Sequence, residues 1–241
     1  MDSDRAFLEE GLSKLGINGG DKVVSLLAKY IEEIELFNPA YGLVKVKDQH
    51  ELIVKHILDS LAPLHILRSL INETSRPVQI ADLGSGAGLP GIPLAICMPG
   101  AEFTLIERMG RRAGFLRNVI AVLRLSNVRV EETDMEELAQ KPSAAGSFDL
   151  IVFRAWKALD ADLFKGLSKL LASGGILAAY KGRRESIEEE MARLLKVPEK
   201  GTDNFSVARS DVSWEVLALE VPFLEEERHL LLVRLKNPQN N

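Results

Sequence analysis

The sequence predicts an α/β fold: a mostly parallel sheet of seven strands with an antiparallel last strand, preceded by an amino-terminal helical extension. Three observations predict it. From Val78 onward, short apolar runs alternate with amphipathic stretches, the pattern of βα units that build a parallel sheet with helices on both faces. Before Arg76-Pro77, apolar residues instead recur at helical spacing. The last two strand-like runs are separated only by Pro222 to Arg228, too short for a helical crossover, so the final strand must reverse direction. These features divide the chain into an extension over residues 1–76 and a main domain over 77–241, packed as one globular unit.

In the extension, Val23, Leu26, Leu27, Tyr30, Ile31, Ile34 and Phe37 form one helical stripe, which Asn38-Pro39 is expected to end. A second stripe follows at Leu52, Ile53, His56, Ile57, Ser60 and Leu61. In the main domain, strands are predicted at Val78 to Leu83, Phe103 to Ile106, Val128 to Val130, Phe148 to Phe153 and Gly175 to Tyr180. Helices are predicted at Ile92 to Cys97, Ala113 to Leu123, Asp160 to Leu171 and Ser186 to Leu195. Trp214 to Val221 and His229 to Leu235 close the sheet, and the apolar run Leu230-Leu231-Leu232 fits burial on both faces.

Composition excludes several classes. With 241 residues, 46% of them hydrophobic and 27% charged, the chain is neither fibrous nor disordered. The single Cys97 rules out an internal disulfide, a structural zinc cluster and a three-cysteine iron–sulfur site, which points to a reducing compartment. The acidic start, Met1-Asp2-Ser3-Asp4-Arg5, is unlike a secretory signal, so a cytoplasmic location is expected. The longest uncharged run, 19 residues from Leu83 to Ala101, holds five Gly and three Pro and reads as loop and helix of a soluble domain, with no membrane partner.

The most informative stretch is Ala81-Asp82-Leu83-Gly84-Ser85-Gly86-Ala87-Gly88-Leu89-Pro90-Gly91, between a predicted strand and a predicted helix. Glycines there let the backbone turn sharply and approach a ligand. Asp82 with Gly84, Gly86 and Gly88 spells the acidic-x-Gly-x-Gly-x-Gly pattern resembling S-adenosylmethionine-dependent methyltransferases. Gly86, Gly88 and Gly91 equally spell the Gly-x-Gly-x-x-Gly of dinucleotide oxidoreductases. The loop by itself leaves both open. Asp82 favours the first, because a carboxylate suits an amino group better than a pyrophosphate; the structural alternative is that Asp82 caps the following turn.

Two further acidic sites support an adenosine ligand. Glu107 ends the second predicted strand, where a carboxylate can accept from both ribose hydroxyls. Asp134, Met135 and Glu136 follow the third strand, where the adenine edge would pass; a solvated helix start explains the other acids of that cluster.

At this point the sequence resembles the glucose-inhibited division protein B family, guanine-N7 methyltransferases of small-subunit ribosomal RNA. The resemblance is carried by Tyr41-Gly42-Leu43-Val44, His56-Ile57-Leu58-Asp59-Ser60, Asp82 to Leu94, Arg111-Arg112 with Phe115-Leu116, Arg154-Ala155, Tyr180-Lys181-Gly182 and Glu227-Arg228-His229-Leu230. It implies a Rossmann-like methyltransferase fold, S-adenosylmethionine as cofactor and 16S ribosomal RNA or the small ribosomal subunit as partner. It also implies that Gly84, Leu89, the Met135-Glu136 backbone and Arg154 contact the cofactor. Two departures stand out: Phe153 occupies a position where the family has a small polar residue, and Gly42 one where it has Asn. The alternatives are an oxidoreductase using Gly86, Gly88 and Gly91, or a non-catalytic RNA-binding assembly protein.

Guanine N7 carries a free lone pair, so its methylation calls for positioning rather than proton transfer. Consistently, none of the four His pairs with a Ser or Cys nucleophile, and no ligand cluster suggests a metal. Arg154, at the end of an apolar strand, is the candidate for the active centre, bound to either the cofactor carboxylate or guanine O6. His56, Asp59 and Ser60 share a helix face and read as a polar cluster fixing the extension to the sheet. The net charge of −5 argues against RNA only as an average: residues 108 to 129 hold six Arg and no acid, while residues 131 to 137 hold five acids. Arg111, Arg112 and Arg117, with Lys181 and Arg183 at a later strand end, are therefore the expected RNA-binding residues of a monomer. Arg117 and Arg124 are expected on one flank of the same helix.

Overall fold

Short runs rich in β-branched and aliphatic residues become the strands of the computed structural model, which describes residues 2–71, 76–154, 158–195 and 212–235. The strands are β1 (Gln79–Leu83), β2 (Glu102–Ile106), β3 (Val128–Glu131), β4 (Phe148–Arg154), β5 (Leu171–Lys181), β6 (Val212–Leu219) and β7 (Arg228–Leu235). They form one sheet in the order β3-β2-β1-β4-β5-β7-β6. Strands β1 to β5 are parallel, and β7 runs antiparallel to both β5 and β6, as the short Pro222 to Arg228 connection requires.

The side-chain alternation of the strands sorts the core into two layers. Leu150 and Val152 of β4 pack into one layer; Ile151 and Phe153 pack into the other. The first layer is covered by the amino-terminal helices together with α6 (Gly91–Cys97) and α7 (Gly110–Leu123). The second is covered by α8 (Met135–Leu138), α9 (Ala161–Leu170) and α10 (Arg184–Leu194). Central strands thus bury both faces, which explains their near-continuous apolar runs.

The amino-terminal helices are α1 (Asp2–Lys14), α2 (Gly20–Tyr41), α3 (Gln49–Leu52), α4 (Asp59–Leu61) and α5 (Leu64–Leu70). Leu27, Tyr30, Ile31 and Ile34 of α2 are buried at the predicted spacing, and Phe37 meets Phe115 of α7 edge to face at 5.5 Å. Pro39 does not end α2. It sits in the last turn, where losing one amide donor is tolerable, and the helix stops at Gly42 in the left-handed conformation (φ 58°). Since Gly and Asn are the residues that visit this conformation most readily, Gly42 at a position where the family has Asn keeps the same backbone.

The second stripe also differs from a plain helix. Between α3 and α4 the backbone widens into a π-helical turn, Ile53–Leu58, in which the Asp59 N–H reaches the Val54 carbonyl. This wider turn buries Asp59 and Ser60 together with Ile57, Leu58 and Leu61, so two polar side chains enter the interior next to β4. Arg124 lies beyond α7, capping it in the left-handed conformation (φ 54°), and not on the flank of the helix with Arg117. Strand β5 begins at Leu171 rather than Gly175, through an irregular pairing of Leu171 with Phe148.

Candidate active site

Strand β1 ends at Leu83, and the chain turns over the tip of β2. Gly84 and Gly86 have φ of +65° and +58°, a region that side chains rarely adopt. The N–H groups of Gly84 and Ser85 donate to the Ile106 carbonyl at 2.9 and 3.1 Å, which fixes the turn to β2. Glu107 follows directly. It is buried, and its carboxylate accepts from Gly86 N–H at 2.9 Å and from Met109 N–H at 2.8 Å. The loop and the second-strand carboxylate are therefore one rigid unit.

The remaining glycines do different work. A Cβ at Gly88 would lie 2.6 Å from Ile92 Cγ1 and 3.2 Å from the Tyr30 hydroxyl; at Gly91 it would lie 2.4 Å from Leu105 Cδ2 and 2.6 Å from Asp82 Oδ2. Gly88 therefore leaves room for side chains of α2, α6 and α7 around the turn, and Gly91 lets α6 pack closely on β1 and β2, so the last two glycines of the Gly86-x-Gly88-x-x-Gly91 spacing serve packing. Leu89 is buried in the first core layer.

Asp82 is wholly buried. Its Oδ2 accepts from Gly91 N–H at 2.9 Å, so the capping role foreseen for it is real, but Oδ1 has no hydrogen-bond partner among the described residues. Burial pushes its pKa up to about 7, opposed by the Gly91 hydrogen bond and by Arg154. An unpaired, buried carboxylate oxygen beside a glycine turn fits a ligand that brings a cationic donor.

Beyond the turn lies a cleft of about 640 Å³, whose wall includes Gly84, Glu107, Met109, Arg112, Asp134 and Met135. Glu136 also lines it. Asp134 caps α8, its Oδ1 accepting from Glu137 N–H at 2.7 Å, so this carboxylate shapes the backbone that faces the cleft. Met135 is buried against α9, where a Cβ at Gly166 would lie 2.6 Å from its sulfur.

Arg154 occupies a second site along the same sheet edge. Its guanidinium donates to the Lys55 carbonyl at 2.9 Å, to Asp59 Oδ2 at 2.8 Å and to His56 Nδ1 at 3.0 Å. Burial, then the Arg154 charge, lower the His56 pKa to about 4, so the ring is neutral near pH 7 and Nδ1 accepts. Ser60 Oγ donates to the His56 carbonyl, and the Tyr180 hydroxyl donates to the Ser60 carbonyl at 2.9 Å. The predicted polar cluster exists, but its hub is Arg154. A strand-end Arg and a His/Asp/Ser helix face are both legible in the sequence, which leaves Arg154 the cofactor carboxylate, guanine O6 or an acid as partner; that the acid is Asp59, 95 positions earlier, is decided by the fold.

The expected RNA-binding residues divide. Arg111 stacks at 5.7 Å from the centroid of the Tyr41 ring, and Arg112 lines the cleft. Arg117 is exposed and paired with Glu132 at 2.8 Å, and Arg183 is exposed at the cap of α10. Lys181 is not a free phosphate ligand: it is largely buried and reaches both oxygens of Glu190 at 2.7 and 2.9 Å. Its Nζ also lies 5.8 Å from the centroid of Phe153, which faces the second core layer. Ala155 lies outside the described residues. Among the described residues, no group of three or more metal-ligating side chains occurs, and no helix is long and apolar enough to cross a membrane.

The family model described as rRNA small subunit methyltransferase G matches residues 24–209. The chain is 37% identical over 253 residues to the ribosomal RNA small subunit methyltransferase G of Treponema denticola, covering 94% of this chain and 92% of that protein. It is 34% identical to the protein of the same name from Acinetobacter baylyi, covering 95% and 97%. Among solved structures, a methyltransferase from Geobacter sulfurreducens shares the fold with a TM-score of 0.55 at 14% identity, over 87% of this chain and 89% of that one.

Proposed function

The chain belongs to the rRNA small subunit methyltransferase G family, and on that premise we propose that it methylates N7 of a guanine in 16S ribosomal RNA, using S-adenosylmethionine. The observation that carries the reading is the presence of two buried carboxylates around one glycine turn: Asp82, with an oxygen unpaired among the described residues, and Glu107 held by Gly86 and Met109. A carboxylate in the first position suits the amino group of the cofactor, and one in the second suits its ribose hydroxyls. The Met135-Glu136 backbone, presented by the Asp134 cap, suits the adenine edge. The oxidoreductase alternative is not favoured, because Gly88 and Gly91 are committed to packing.

When bound, the cofactor would supply an electrophilic methyl group on sulfur for the lone pair of N7. The protein has no proton to remove. What its residues must do is hold the two partners in line and exclude water, and the rigid Gly84 to Gly86 turn is built for that. Phosphates of the RNA would be gripped by Arg111, Arg112, Arg117 and Arg183. We place the activity in the cytoplasm, in a monomer whose residues 1–76 and 77–241 act as one unit. Transfer of labelled methyl to small-subunit RNA or particles, with nuclease mapping to 7-methylguanosine, tests the reading; no incorporation into any ribosomal RNA overturns it.

A further inference from the structure

A second pocket, of about 380 Å³, opens beside the Arg154 network at the carboxyl ends of β4 and β5; its wall includes Lys45, His56, Asp59, Arg154, Tyr180 and Arg228. Its position relative to the cleft follows from strand register: Asp82 pairs with Val152, and Arg154 comes two residues later on β4. The site therefore adjoins the glycine turn on the edge where ligands of such sheets bind. Its volume is in the range of a small-ligand pocket.

Asp59 is the unusual member. Its side chain is 6% exposed, and Arg154 holds Oδ2. Among the described residues Oδ1 has no hydrogen bond, although Arg228 Nε lies 3.2 Å away: the pair is close enough for charge contact but not aligned for a bond. Among the described residues, the Arg228 guanidinium donates to the carbonyl of its own neighbour, Glu227, so it is held only loosely over Oδ1. Of the remaining cations of the pocket, Arg154 has three acceptors, Lys181 has Glu190 and Lys55 has Glu51 at 2.8 Å, which leaves the exposed Lys45. His56 is neutral. An anion reaching the inner wall would meet the Asp59 carboxylate, whereas a ligand with hydrogen-bond donors would complete it.

We propose that this pocket holds the target base, and that Asp59, once Arg228 swings aside, accepts hydrogen bonds from N1–H and the 2-amino group of guanine. This rests on the methyltransferase reading above and deepens it to base recognition. A carboxylate has capacity for both donors even with Arg154 retained, since each oxygen offers two lone pairs. The choice of edge matters chemically. An Arg on O6 and N7 would occupy the lone pair that must react. A carboxylate on the Watson–Crick edge leaves N7 open on the far side of the ring, toward the cofactor cleft. Displaced Arg228 and Lys45 remain to contact the phosphate of the same nucleotide.

The test uses the full-length protein and small-subunit particles rebuilt with inosine, which lacks only the 2-amino group, at the mapped methylation position. Wild-type kcat/KM is expected to fall about tenfold to a hundredfold on inosine relative to guanosine. Asp59→Asn is expected to be slow on guanosine, to show no further loss on inosine, and to bind S-adenosylmethionine as the wild type does in calorimetry. Equal wild-type rates on guanosine and inosine overturn the proposal even if the variant fails to fold, as does a variant that still discriminates between the two bases. In both cases the methyltransferase reading stands. Absence of transfer to the guanosine particle overturns both.

Discussion

The two ends of the ligand-facing sheet edge are built on opposite plans. At β1 and β2, the site is made of backbone turns and the carboxylates that fix them: Gly84 held by the Ile106 carbonyl, Gly86 held by Glu107, and the Asp134 cap. At β4 and β5, the pocket is made of side chains brought from far apart, with Arg154 joined to Lys55, His56 and Asp59 nearly a hundred positions earlier. The first plan gives rigidity through turn geometry, with carboxylates that accept from backbone N–H groups. The second gives it through a buried charge network, which is costly to break at any one member.

If that contrast is right, the largest effect comes from removing the hub. Arg154→Ala leaves Asp59 buried with only Arg228 nearby and is expected to lower stability by about 3–5 kcal/mol in urea denaturation. A loss below about 1 kcal/mol would mean that the network is not structural.

The two ends should also answer pH in opposite directions. Asp82 has a folded pKa of about 7 against an ordinary 3.8, so the native state holds its proton more tightly and stability falls as pH rises from about 4 through about 7. His56 has a folded pKa of about 4 against 6.5, so its contribution is present above about 6.5 and is lost as pH falls toward 4. Each is worth a few kcal/mol, at about 1.4 kcal/mol per pH unit. Denaturation midpoints at pH 5 and pH 7.5 check this: Asp82→Asn should make the variant relatively more stable at the higher pH, and His56→Gln relatively more stable at the lower.

Glu107→Ala sharpens the contrast on the cleft side. It is expected to weaken S-adenosylmethionine binding by about 1.5–3 kcal/mol in calorimetry, the range for hydrogen bonds to a charged group. Unchanged affinity would remove Glu107 from the cofactor site. The smallest effect is expected at the surface. Reversing Arg111 and Arg112 should reduce the salt slope of RNA binding by about two without altering the melting temperature.

Legibility in the sequence followed the same divide. The strands and most helices were readable because their apolar periods are local, and the boundaries that shifted, at Pro39, Arg124 and Leu171, are places where one backbone conformation decides. Asp82, Gly84, Gly86 and Glu107 were readable because a strand end and a turn set their geometry within a few residues. Gly88 and Leu89 looked alike in sequence, yet both face the core. Lys181 looked like a free cation at a strand end because nothing local announces that Glu190, one helix later, folds back onto it.

By itself the sequence determined the α/β class, the direction of the last strand and the glycine turn with its two carboxylates, because each depends on periodicity, loop length or residue chemistry within short stretches. Only the tertiary structure decided that Arg154 belongs to His56 and Asp59, that one oxygen each of Asp82 and Asp59 lacks a hydrogen bond among the described residues, and which arginines remain exposed. Those facts depend on burial and on charge partners far apart in the chain, where the energy of a group is set by what surrounds it rather than by what precedes it.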